Sequence, residues 1–247
     1  MLIAAAVCPH PPLLVPEAAC GAAAELDEMR TACDAAVAVL AAADPDVIAV
    51  VGGAAEAADY DSSAAGSLAG YGVGWRTGTG AAVLPLSLAI GRWLLQRAGL
   101  LPEQTAATPA AGNRPRVRLH AVAFGAPTAA CLRRGTEVAA QARRVALLAM
   151  GDGPGCLSPQ APGYLDARAE PYDSGVAAAL QAADAGRLAR LDAGLSADLL
   201  VAGRAAWQVL AGAAGAGVFH GHLHRAAAPY GVSYLVASWT AVSGADD

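Results

Sequence analysis

The sequence predicts an α/β fold with a mixed, mostly parallel central sheet and helices on both of its faces. Short continuous runs of apolar residues alternate along the chain with longer segments whose large apolar residues recur every three or four positions. The first pattern is typical of strands buried on both faces, and the second of amphipathic helices. Strand, helix and strand in that order favour a right-handed βαβ unit with parallel strands.

The first third of the chain contains the clearest unit of this kind. A strand over 2–8 ends where prolines follow it, a helix over 22–43 ends at Asp44-Pro45, and a strand over 47–51 is closed by glycines. The segment 54–80 has no sustained period and predicts a long loop with at most a short strand over 71–75.

The same alternation continues to the end of the chain. Gly99 is a candidate C-cap for a helix, and the Pro-rich segment 102–115 predicts a surface connection. Asp173 or Ser174 is a candidate N-cap. The predicted helices are 84–97, 128–143, 173–182 and segments within 186–212; the predicted strands are 117–124, 145–150 and a closing antiparallel hairpin of 218–224 and 232–238.

Composition limits the class of protein. The 247 residues fit one domain over 1–247, and a net charge of -5 without a basic block argues against nucleic acid as a partner. The five cysteines include no C-x-x-C pair, which favours a reducing cytoplasm. Charged residues or Gly-Pro interrupt every apolar stretch before it reaches membrane-spanning length, and the apolar start has no basic leader, so we expect a cytoplasmic protein without a membrane partner.

The first candidate site lies at the carboxyl ends of predicted parallel strands, where ligands of α/β sheets bind. His10 follows the first strand directly, after Cys8, and Asp152 and Gly155 lie in a glycine-rich turn after the strand over 145–150. Gly53 follows the second strand. These five residues are the predicted pocket for a small molecule. The alternative is that His10 only hydrogen-bonds to the backbone of a proline-stiffened loop.

A second candidate is the histidine run His220, His222 and His224. On a strand, residues two apart share one face, about 7 Å from one another, so two imidazoles that lean together can share a metal ion. The alternative is a solvent-facing stripe of histidines opposite Phe219 and Leu223, since no carboxylate or cysteine accompanies them in sequence.

Several segments, in their order along the chain, resemble the class III extradiol ring-cleavage dioxygenase superfamily, the LigB-like or Memo-like proteins. The resemblance spans nearly the whole chain and implies a LigB-like α/β fold. The segments are the His10 loop (8–16), the run 44–53 that ends in glycines, Gly151-Asp152 with 157–164, Tyr172-Asp173 before a helix, and 229–237.

The resemblance also implies what an active member would need. In such members two histidines and a glutamate hold Fe(II), and a further histidine is the acid and base. His10 matches the first metal histidine, but the second falls at Gly53, and the acid/base histidine falls on Gly155. The expected carboxylate falls near 200–203, where the nearest acid is Asp198. We therefore expect no cofactor, and a small-molecule-binding or interaction module without ring cleavage.

Two alternatives remain open from the sequence. One is an active Fe(II)-dependent extradiol dioxygenase with a rearranged metal site, in which His10 is joined by Glu56, Asp59 or Asp61, or by the histidine run. The other is a subunit whose alanine-rich helices pack in a homo-oligomer. The sequence identifies no substrate.

Overall fold

The computed structural model of the protein describes residues 1–19, 21–101 and 114–242. Seven strands form one sheet in the order β3-β6-β2-β7-β1-β9-β8, and β4 and β5 form a separate two-stranded sheet. The strands are β1 Leu2–Cys8, β2 Val47–Ala54, β3 Ala58–Asp61, β4 Gly66–Ser67, β5 Arg76–Thr77, β6 Arg116–Ala123, β7 Val145–Met150, β8 Phe219–Ala227 and β9 Tyr234–Ala241.

The centre of the large sheet is parallel. Strands β6, β2, β7 and β1 pair in parallel, whereas β3 pairs antiparallel with β6, and β9 pairs antiparallel with both β1 and β8. The predicted closing hairpin is therefore confirmed. The predicted fold class, a mixed and mostly parallel sheet with helices on both faces, is confirmed as well.

Helices cover the two faces of the sheet unequally. Residues of α1 and α2 belong to one apolar layer, and residues from α3 to α7 pack in the other. None of the helices in the part of the chain that the structure describes is long and apolar enough to cross a membrane. The helices are α1 Asp27–Ala42, α2 Leu86–Arg97, α3 Thr128–Ala139, α4 Ala169–Gln181, α5 Ala185–Ala189, α6 Ala193–Asp198 and α7 Arg204–Ala214.

The central strands are apolar throughout because both of their faces are covered. In β7, Leu147 and Ala149 face the layer formed by helices α3 to α7, whereas Leu148 and Met150 face the layer formed by α1 and α2. All six residues of this strand are buried. This is the reason that continuous apolar runs, rather than alternating ones, predicted these strands.

The prediction of a long loop over 54–80 was wrong in part. The segment contains β3, which joins the large sheet, as well as β4 and β5, while the expected strand over 71–75 is absent there. Strand β3 alternates between half-buried and exposed residues, and its exposed positions are Asp59 and Asp61. A four-residue edge strand with acids on it resembles a polar loop in sequence, and charge at such an edge discourages pairing with other chains.

Several helix boundaries also differ from the prediction, since α1 begins at Asp27 and α2 at Leu86. Helix α4 begins at Ala169, with Pro171 in its first turn, so Asp173 lies within the helix and is not its cap. Helix α3 ends at Ala139 and not near residue 143. Gly99 has φ +71° after α2, consistent with a C-cap glycine. The predicted connection over 102–115 falls outside the described residues except for its last two.

Helices α3 and α7 approach each other so closely that backbone meets backbone. A Cβ added at Gly135 of α3 would lie 2.1 Å from the carbonyl oxygen of Val209. One added at Gly212 of α7 would lie 2.1 Å from the carbonyl oxygen of Leu132. Only glycine fits at these two positions, and a well-packed interior leaves little room for either helix to shift.

We predict that Gly135→Ala destabilises the protein by roughly 1–3 kcal/mol, the usual cost of overpacking. Alanine within a helix otherwise stabilises by about 0.5–1 kcal/mol over glycine. Gly175→Ala in α4 is the matched control, because its added Cβ would meet the flexible end of Arg187 at 3.4 Å, an ordinary contact distance. Urea unfolding of both variants measures the difference; equal stabilisation by the two would contradict the close approach of α3 and α7.

Candidate functional site

The loops that follow β1 and β7 are joined at the carboxyl edge of the sheet. The amide of Gly151 donates to the carbonyl of Cys8 at 2.9 Å, and the amide of His10 donates to Oδ1 of Asp152 at 2.8 Å. The imidazole Nδ1 of His10 is buried and lies 3.5 Å from the same carboxylate oxygen, and among the described residues it has no hydrogen-bond partner. His10 and Asp152 of the predicted pocket thus lie in contact.

Two further polar side chains converge on Gly153, next to Asp152. A Cβ placed on Gly153 would lie 2.8 Å from Oγ of Ser233 and 3.0 Å from Oδ1 of Asp173. Both of these oxygens are buried, and in the part of the chain that the structure describes neither has a hydrogen-bond partner of standard geometry. Burial raises the pKa of Asp173, and the neighbouring Ser233 hydroxyl only partly offsets that rise. We call His10, Asp152, Asp173 and Ser233 the polar cluster.

The backbone holds the polar cluster in place. The amide of Gly153 donates to the carbonyl of Ser233 at 2.8 Å, and the amide of Ser233 donates to the carbonyl of Pro154 at 2.9 Å. Tyr234 follows, and burial together with the negative charge of Asp152 raises the pKa of its hydroxyl. Buried acids and imidazoles with unused hydrogen-bonding atoms are typical of sites that hold a polar group or exchange a proton.

Gly53 and Gly155 lie against apolar side chains. A Cβ on Gly53 would lie 2.4 Å from the ring of Phe124 and 2.9 Å from the carbonyl oxygen of Ala202. A Cβ on Gly155 would lie 3.3 Å from Cβ of Leu200. The space beyond both glycines is therefore occupied by neighbouring groups. No side chain as large as histidine fits at position 53 unless Phe124 moves.

Phe124 and Leu200 also form walls of an open apolar cavity of about 560 Å³ at the carboxyl ends of β2 and β6. Phe124 is 48% exposed and Leu200 is 51% exposed, so each presents apolar surface to it. We call it the apolar cavity. Its walls include Phe124, Ala197, Leu200, Val201, Ala202 and Arg204.

Cys8 does not face the apolar cavity. It belongs to the apolar layer of α1 and α2, on the opposite face of the sheet from α6 and α7. A hydrogen bond with the Cys33 thiol of α1, together with complete burial, raises its pKa well above the ordinary value. A thiol in this setting is inert, so Cys8 contributes packing to the site and no chemistry.

The histidine run lies apart from His10. Strand β8 is two positions from β1 in the sheet, roughly 10 Å. His220 and His222 are exposed; the rings of His222 and His224 lie edge to face at 4.5 Å, and Nε2 of His224 lies 2.8 Å from Oγ of Ser238. Burial and the neighbouring His222 lower the pKa of His224. His220 and His222 thus face solvent, as the alternative of a histidine stripe expects, whereas His224 is half-buried.

The acids after β2 also lie far from His10. Asp59 is on β3, four strand positions from β1, roughly 19 Å. Its carboxylate contacts the buried His120 at 2.8 Å and Arg134. Partial burial opposes the shift, but the hydrogen bonds from His120 and Arg134 lower the pKa of Asp59. Burial in turn lowers the pKa of His120.

The other candidate carboxylates have partners or are exposed. Asp61 accepts a hydrogen bond from the amide of Ser63 at 2.7 Å, Glu56 is exposed, and Asp198 lies 3.2 Å from Arg168. Across 1–19, 21–101 and 114–242, no three His, Cys, Asp or Glu side chains are grouped as a metal ion needs. The residues present around His10 do not fit the two-histidine, one-carboxylate iron site.

The sequence did not single out Asp173, Ser233, Phe124, Leu200 or Arg204 as site residues. They come from four separate parts of the chain, and only the tertiary fold brings them to this edge. For Asp173 the sequence contained one usable signal, which is Pro171 two residues before it. A proline favours the first turn of a helix, so an acid two residues later lies inside that helix and cannot cap it.

Comparisons with known proteins leave the family open. No family model matches the chain, and no curated protein does. A solved structure, that of the uncharacterized protein JW3007 from Escherichia coli K12, aligns over 96% of this chain and 99% of that chain with 14% identity and a TM-score of 0.47. This level of similarity defines neither a family nor an activity.

We predict that Asp173→Asn is at least as stable as the wild type at neutral pH and melts up to a few degrees higher. Burial raises the folded-state pKa of this carboxyl above its ordinary value of 3.8. The folded protein therefore binds more protons than the unfolded chain between the two values, and stability falls as the pH rises through that window. Thermal unfolding from pH 4 to 8 should show this fall in the wild type relative to the variant; parallel profiles would contradict it.

Proposed function

We propose that this protein is a LigB-like protein that binds a small molecule, mostly through apolar contacts, at the carboxyl edge of its sheet and does not cleave aromatic rings. One observation carries the proposal. At both positions where the resemblance implies a second metal histidine and an acid/base histidine, the chain has glycine, and the adjoining space belongs to Phe124 and Leu200. The same two side chains form walls of the apolar cavity.

The donor set supports the absence of ring cleavage. An extradiol site holds iron through three protein ligands and leaves coordination positions open for substrate and dioxygen. His10 alone stands where a ligand is implied, and its Nδ1 faces Asp152. Asp59 and the histidine run lie several strands away. The acids of the 56–61 segment and the histidine run therefore do not supply the missing ligands.

The apolar cavity has the properties of a ligand site. Its volume, about 560 Å³, falls within the range of roughly 300–1,000 Å³ that small-molecule sites occupy. It lies beyond the carboxyl ends of parallel strands, the usual position for ligands of α/β sheets. Its walls combine exposed apolar side chains with one buried charged group, Arg204, a combination that gives both affinity and orientation.

We predict that the protein, reconstituted anaerobically with Fe(II) and then exposed to air, cleaves catechol no faster than free iron does. Loss of a general acid/base alone costs roughly 10²–10⁴-fold in rate, so a chance metal site would also be slow. Product formation is followed by the absorbance of the yellow ring-opened product. Stoichiometric iron with rapid product formation that His10→Ala abolishes would establish the alternative, an active dioxygenase.

We predict that the neutral fluorescent probe N-phenyl-1-naphthylamine binds the apolar cavity. Ala197 lies on the cavity wall and is exposed, so Ala197→Trp should fill the cavity without disturbing the core and weaken probe binding by at least tenfold. Ala178→Trp, a substitution at an exposed alanine of α4, is the matched control and should bind as the wild type does. Probe binding that is absent, or equal in all three proteins, would refute the site.

A further inference from the structure

We infer that the natural ligand of the apolar cavity carries one anionic group, of the carboxylate class, that binds Arg204. This inference rests on the proposed function and adds the chemical class of the ligand. Within the described residues, no acid neutralises the positive charge of Arg204 at the cavity wall.

Arg204 begins α7 and is 2% exposed, yet it lines the apolar cavity. Its Nη1 donates to the carbonyl of Ala126 at 2.6 Å and to Oε1 of Gln208 at 3.0 Å, and its Nη2 donates to the carbonyl of Phe124. A guanidinium has five N–H donors. Within the part of the chain that the structure describes, its Nε–H and one N–H of Nη2 therefore have no acceptor.

All three acceptors of Arg204 are neutral, so its positive charge has no counter-charge in the described chain. Buried arginines are ordinarily paired with an acid. Arg30 follows that rule through Asp27 at 2.6 Å. Arg92 is also buried without a carboxylate, but it lies in α2 on the opposite face of the sheet, away from this cavity. Arg204 is thus a cation without an ion pair that borders a space large enough for a ligand.

The hydroxyl groups at this end of the cavity are already engaged. Ser196, which lines the cavity, donates its hydroxyl proton to the carbonyl of Asp192. Its oxygen lies 2.7 Å from the hydroxyl of Tyr172, which is the donor of that pair because the Ser196 proton is in use. These hydroxyls are occupied as donors, whereas Arg204 keeps two N–H donors with which it can bind an anion.

The walls restrict the kind of anion. A single cation among apolar side chains balances one negative charge, and any further charge on the ligand would be desolvated without a partner. Two free N–H donors on neighbouring nitrogens suit the two oxygens of a carboxylate. The expected ligand is therefore an apolar or aromatic monocarboxylate, with its hydrocarbon body against Phe124 and Leu200.

The test compares 2-naphthoate with its neutral amide, 2-naphthamide, by isothermal titration calorimetry. Charge-assisted hydrogen bonds contribute about 1.5–3 kcal/mol, so the wild type should bind the carboxylate at least about tenfold more tightly than the amide. Arg204→Met should abolish this preference, Arg204→Lys should retain part of it, and Arg133→Met, an exposed arginine on α3, should leave it unchanged.

Each result is decisive. Equal affinity of the wild type for the two compounds overturns the inference, and if N-phenyl-1-naphthylamine still binds, the proposed function stands. A preference for the carboxylate that survives in folded Arg204→Met overturns the assignment to Arg204. If both Arg204 variants fail to fold, the preference for the carboxylate is compared between the wild type and Ala197→Trp instead. A tenfold preference for the carboxylate that this substitution removes supports the inference, and a preference that it leaves intact overturns it.

Discussion

The parallel pairing of β6, β2, β7 and β1 is the constraint on which the rest of the structure depends. Parallel strands end at the same edge of a sheet, so the loops after β1 and β7 meet there, and the amide of Gly151 bonds to the carbonyl of Cys8. The polar cluster and the apolar cavity both lie at that edge. The closing hairpin contributes through β9, which pairs with β1 and places Ser233 beside Gly153.

Much of the fold could be predicted because its central strands are buried on both faces and therefore appear as uninterrupted apolar runs. Strand β3 escaped prediction because it is short, lies at an edge, and carries Asp59 and Asp61. The contact of His10 with Asp152 was predictable, since it follows from parallel strands alone. The position of Asp173, Phe124 and Leu200 at this edge of the sheet was not predictable. No local pattern encodes which helix or loop packs over a given strand end.

The residues around Gly53 and Gly155 bear on the proposal that this edge binds a small molecule without iron chemistry. A histidine at position 53 would need the volume that the Phe124 ring fills, so an iron ligand there and the present cavity wall exclude each other. The polar cluster nevertheless keeps an imidazole and a buried carboxyl group beside the cavity. A backbone hydrogen bond joins the polar cluster to the apolar cavity. The amide of Gly203, next to Arg204, donates to the carbonyl of Asp152 at 2.9 Å.

The tight contact between α3 and α7 bears on how Arg204 would meet the proposed ligand. Gly212 fixes α7 against the backbone of α3, and Arg204 is the first residue of α7. Gln208, one turn later, accepts a hydrogen bond from the guanidinium of Arg204. The guanidinium is therefore ordered without a ligand. A receptor group that is already ordered loses little rotational freedom on association. Discrimination among acids of the same charge would then come from the outline of their hydrocarbon bodies, since the ionic contact is the same for each of them.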